Sequence, residues 1–119
     1  EVLYANDIYN IELNSEMVTL SACETGIGQL KGGEGIISLS RAFAYAGAKS
    51  IVTSLWQVSD SKTKDLMISF YSNLLNGLRK DEALWKAKCD YLLSNKGESA
   101  SPFYWAGFIG IGNMQALKL

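Results

Sequence analysis

The sequence predicts an α/β domain with a mostly parallel sheet, and three observations predict it. Two short apolar, partly β-branched runs, at 17–22 and 50–56, have the length and composition of buried strands. A helical period separates them, and two more helical stretches follow the second run. A third run near the carboxyl terminus, 103–111, completes a strand, helix, strand, helix, helix, strand order, which favours parallel pairing.

Residues 1–15 mix Leu3, Ile8, Ile11 and Leu13 with Asn and Asp, and read as a helical turn at 6–9 and a connection. The first strand stops at Cys23, where Gly26, Gly28, Gly32, Gly33 and Gly35 imply a shaped loop. From Glu34 to Ala46, Ile36, Leu39, Phe43 and Ala46 follow a helical period, with Gly47 as the stop. After the second strand, Leu66, Met67, Phe70, Tyr71, Leu74, Leu75 and Leu78 form an i, i+3/i+4 stripe. Ser59 or Asp60 can cap that helix, and Gly77 lies near its end. A third helix is expected over 81–93, a polar loop over 95–101, and the third strand just after Pro102.

Composition narrows the function. At 119 residues, 48% of them apolar, the chain suits one domain with a real core. Eleven basic residues are scattered against twelve acidic ones, so the footprint for phosphate backbones is missing and nucleic acid is not an expected partner. The apolar runs fall far short of the ~20 residues that cross a bilayer, so no membrane partner is expected. Two cysteines, Cys23 and Cys89, with no CxxC spacing, point to a reducing, cytoplasmic setting rather than to disulfide, zinc or redox chemistry. The first residue is Glu1, no signal-like leader follows, and three strands leave a raw sheet edge. These features lead us to expect a piece of a longer protein.

Ligands of open α/β sheets sit beyond the carboxyl ends of the strands, where Cys23 falls. Small neighbours, Ser21 and Ala22, and the turn-permitting Gly26 allow a substrate carbonyl near the sulfur. The backbone N–H of Cys23 is then a candidate oxyanion donor. The alternative is a buried cysteine that simply packs. Cys89, mid-helix beside Trp85 and Leu92, reads as packing. Glu34 is either a general acid or, more simply, a first-turn carboxylate that favours the helix dipole; Glu24 reads as a solvated loop residue. Residues 26–32 miss the GxGxxG spacing by one residue, and no Gly-Lys-Ser/Thr follows, which argues against nucleotide binding.

Several blocks carry a family resemblance in the right order. They are Leu20-Ser21-Ala22-Cys23-Glu24-Thr25-Gly26, Gly32-Gly33-Glu34-Gly35, Arg41-Ala42-Phe43, Ala46-Gly47-Ala48, Ser54-Leu55-Trp56-Gln57-Val58-Ser59-Asp60 and Tyr104-Trp105-Ala106-Gly107-Phe108. Together they resemble the CHAT-domain family of caspase-like proteins, often joined to tetratricopeptide repeats and distantly related to separases. The resemblance implies a caspase-like α/β/α sandwich, of which residues 1–119 are the C-terminal half. It implies a cysteine endopeptidase with Cys23 as nucleophile, a protein or peptide substrate, and no cofactor or metal. Tetratricopeptide repeats of the parent chain are an implied partner.

The partner histidine would stand in an upstream His-Gly pair, and this sequence has no histidine. An unassisted thiol has a pKa of about 8.5 and is only a few per cent thiolate at neutral pH. We therefore expect the 119 residues alone to be inactive. The resemblance also aligns Asp60 with an acid that selects Lys or Arg before the cleaved bond; its alternative is an ordinary helix cap. The segment 54–57, with Ser54, Trp56 and Gln57, is implied to pair with the substrate backbone, and Trp56 either walls a pocket or packs in the core. The competing function is a non-catalytic caspase-like interaction module.

Overall fold

The computed structural model describes residues 15–20 and 32–118, without the side chains of 32–37 and 60. The helical turn expected at 6–9 and the loop carrying Cys23 lie outside the described residues. The chain divides into two compact units, Glu1–Gln57 with Ile109–Asn113 and Val58–Phe108 with Met114–Leu119.

The first unit is built on a three-stranded sheet in the order β1-β2-β3. Strand β1 is Val18–Leu20, β2 is Ser50–Ser54 and β3 is Phe108–Gly112. Strands β1 and β2 are parallel, with Val18 opposite Ile51, Thr19 opposite Val52 and Leu20 opposite Thr53. Every residue of β2 is buried, as expected of the middle strand. Its entry is pinned by two bonds: the Ser50 hydroxyl donates to the Glu16 carbonyl (2.6 Å), and the Lys49 N–H to that of Ser15 (2.9 Å). The N–H of Asn113 donates to the Lys49 carbonyl (2.9 Å), so the end of β3 lies beside the start of β2. That is the end-to-start placement of an antiparallel neighbour, and the sheet is mixed.

Helix α1, Gly32–Ala46, connects β1 to β2. It starts two residues before the expected Glu34, which puts Gly32 and Gly33 in the helix rather than in a loop. Leu39, Ala42 and Ala46 bury one face against Leu20, Ala48 and Ile51, with Val18, Phe43 and Leu55 around them. Tertiary packing of this kind outweighs the roughly 1 kcal/mol that each glycine costs a helix. The stop at Gly47 is as expected. Gly47 has φ +116°; its N–H donates to Ala44 and that of Ala48 to Phe43, a Schellman motif.

The second unit is a helical pair, α2 (Asp60–Leu75) and α3 (Lys80–Ser94). From the long apolar stripe of α2, Leu66, Phe70 and Leu74 are buried, whereas Tyr71 and Leu75 are exposed. The i, i+4 row is buried, as are Ala83, Leu84, Ala87 and Tyr91 of α3, and the two helices pack on each other. The Asn73 amide donates to the Ala83 carbonyl (3.0 Å) inside this interface. Gly77 closes α2 with a second Schellman motif, through Gly77 N–H to Leu74 and Leu78 N–H to Asn73. Ser59 holds the N-cap position but makes no side-chain cap bond, and Asp60 is the first helical residue. Cys89 is half-buried, and its expected packing neighbours Trp85 and Leu92 are exposed, because that side of α3 faces away from the buried row.

The strand expected over 103–111 is shorter than its composition implies. Residues Gly97–Ala100 and Pro102–Tyr104 form 3₁₀ turns, and the strand begins only at Phe108. Proline at the start of a turn presets φ. The N–H groups of Tyr104, Trp105 and Ala106 then bond back to Ser101 and Pro102, which removes them from any ladder. Likewise β2 ends at Ser54 rather than at Trp56, since the chain bends at 55 and 56.

Candidate active site

The parallel register of β1 and β2 brings their carboxyl ends, Leu20 and Ser54, to the same edge of the sheet. Neighbouring strands lie about 4.8 Å apart, so residues that leave these two ends start out as close neighbours. In sequence, Cys23 is the third residue after Leu20, and it lies outside the described residues.

At the end of β2, Ser54 is only 4% exposed. Its hydroxyl donates to the Trp56 carbonyl at 2.6 Å and accepts from the Trp56 N–H at 3.4 Å. These bonds fold the chain over the strand end and leave Trp56 (37% exposed) and Gln57 at the surface. Leu55, between Ser54 and Trp56, packs partly onto the core of the first unit. The core-packing alternative for Trp56 therefore describes Leu55 better. Of the sequence candidates, Ser54 and Trp56 are joined by direct bonds and Gln57 follows them. The side chain of Asp60, like Cys23, lies outside the description.

A second polar feature, unmarked by the sequence reading, lies within the helical pair. Asp65, Ser69, Asp90, Ser94 and Asn95 line a groove of about 270 Å³ with Ala87 and Tyr91. The Ser69 hydroxyl donates to Asp90 (3.3 Å), and the Tyr91 hydroxyl to the Ser99 carbonyl (2.8 Å). Burial pushes the Tyr91 phenol above its usual range, and the nearby Tyr104 and Asp65 add to the shift. Lys62 reaches Ser99 (3.3 Å) and Asn95 (3.5 Å) beside it. The i, i+4 pairs Asp65/Ser69 and Asp90/Ser94 were the available signal. Only the packing of α2 on α3 turns them toward one another. Burial also lowers the pKa of Lys88, whose ammonium donates to the Phe108 carbonyl (2.6 Å).

Among the described residues no group of His, Cys, Asp and Glu could hold a metal ion, and no helix is long and apolar enough to cross a membrane.

Two parallel strands joined by a helix, with a bent, exposed segment after the second, make this an α/β domain. The model of the CHAT domain family matches residues 1–113. This chain belongs to the CHAT domain family, which is related in general to caspase-like peptidases. It is similar to tetratricopeptide repeat protein 28 of Mus musculus (36% identical) and of Homo sapiens (37% identical), over 112 residues in each case. The match covers 94% of this chain and 4% of each relative, so the chain spans a small fraction of their length.

Proposed function

We propose that the chain is the C-terminal part of a cysteine endopeptidase domain that cleaves proteins after Lys or Arg. Cys23 is the nucleophile. Its thiolate attacks the substrate carbonyl, the amine leaves with a proton supplied by a histidine, and water hydrolyses the resulting thioester. Since the 119 residues contain no histidine, the base comes from elsewhere in the parent protein. The segment 54–57 receives the extended substrate backbone, with Trp56 as a wall. Asp60 pairs with the basic side chain before the cleaved bond by a charge-assisted hydrogen bond.

The observation that carries this reading is the shared sheet edge at which β1 and β2 end, with Cys23 following one end and the 54–57 segment the other. The test is turnover of a fluorogenic peptide with Lys or Arg before the scissile bond by the full-length protein. We expect cleavage that disappears in Cys23→Ala. Absence of turnover, or turnover that survives the substitution, overturns the proposal.

The lack of histidine favours a second reading, a non-catalytic interaction module in the same family. A parent sequence without an upstream His-Gly pair would decide for it. In either case the similarity to tetratricopeptide repeat protein 28 supports tetratricopeptide repeats as the companion of this domain in the parent chain.

A further inference from the structure

We infer that Ser54 is a positioning residue of the peptide site, a latch that fixes the shape of the segment on which an extended substrate is laid. The inference rests on the peptidase reading above. Two hydrogen bonds carry it. The Ser54 hydroxyl donates to the Trp56 carbonyl at 2.6 Å and accepts from the Trp56 N–H at 3.4 Å. A hydroxyl can do both because it has one donor hydrogen and two lone pairs. The donating bond is short and the accepting one is near the outer limit, so the grip on the carbonyl dominates.

Ser54 is 4% exposed, so its hydroxyl acts through Trp56 rather than by touching substrate. Ser54 is buried before the segment it shapes, while Trp56 and Gln57 within it are exposed. A bend set in advance spares the ordering cost that a loose segment meets on binding.

The test uses the full-length protein with Cys23→Ala, so that peptide is bound and not consumed. Calorimetry compares an acetylated pentapeptide amide ending in Lys with the acetyl-Lys amide alone, and amide exchange is read at Trp56. With Ser54→Ala the pentapeptide should bind about five-fold more weakly, the size of one lost hydrogen bond. Binding of the single residue should not change, and Trp56 should exchange faster. Ser54→Thr, which keeps the hydroxyl, should restore the pentapeptide. Pentapeptide affinity unchanged in Ser54→Ala, equal losses for both ligands, or unchanged exchange at Trp56 each overturn the latch. Turnover by the Cys23 protein together with any of these leaves the peptidase reading standing without the latch. A length-dependent loss in Ser54→Ala without turnover by the Cys23 protein does the reverse. Failure of the parent to bind the pentapeptide overturns both.

Discussion

At the scale of single residues, buried polar groups set the sharpest expectations. Ser40 sits in α1 at 4% exposure, and its hydroxyl has no partner among the described residues. An unsatisfied buried hydroxyl costs stability, so Ser40→Ala should stabilise the chain by about 1 kcal/mol in urea denaturation. Tyr91 is the opposite case, since its hydroxyl is bonded to the Ser99 carbonyl. Tyr91→Phe should lose about 1 kcal/mol. Its raised pKa also fixes a pH dependence. The folded state holds the phenolic proton at a pH where the unfolded chain releases it. That contribution is intact below the ordinary tyrosine value and is lost as pH rises through the higher folded-state value. The slope of stability against pH in that alkaline range should therefore flatten in Tyr91→Phe.

At the scale of elements, glycine positions separate turn geometry from close approach. Gly77 and Gly112 both have positive φ, +88° and +96°. A Cβ on Gly77 meets nothing within 4 Å, whereas one on Gly112 falls 2.6 Å from the Lys49 carbonyl oxygen. Gly77→Ala should cost about 1 kcal/mol of backbone strain. Gly112→Ala adds a backbone clash and should cost about 1–3 kcal/mol more. Paired denaturation curves measure the difference, and equal losses would show that β3 yields freely at its junction with β2. The helix stops at Gly47 and Gly77 were legible in the sequence because the Schellman motif demands a residue tolerant of positive φ. The turn at 102–104 was not legible. Phe103, Tyr104 and Trp105 have strand composition, and only the bonds back to Ser101 and Pro102 reveal that the segment curls. Strand preference reflects fit to a sheet surface, which a local turn can override.

At the scale of the whole molecule, the α/β order was legible because each unit follows its own period. Leu39, Phe43 and Ala46 mark the helix of the first unit, and Leu66, Phe70 and Leu74 belong to the stripe of the second. Of the candidate site, Cys23 and the side chain of Asp60 lie outside the described residues, and the bend at 55 and 56 that the Ser54 hydroxyl holds is not encoded in periodicity. Under the proposed peptidase function, Asp60 carries the specificity prediction for the full-length protein. Asp60→Ala should reduce kcat/KM for peptides with Lys or Arg before the scissile bond at least ten-fold, about the 1.4 kcal/mol of a charge-assisted hydrogen bond. A neutral residue at that position should be cleaved almost unchanged. Equal losses on both substrates would reduce Asp60 to a structural residue of α2.

The bond between Ser54 and the backbone of Trp56 has a consequence for adaptation. The bend is held by a buried side chain and main-chain atoms, so its form does not depend on what stands at position 57. Gln57 is exposed and can be exchanged for acidic, basic or aromatic residues without refolding the strand end. The chemistry presented at that one position can thus change while the architecture beneath it stays constant.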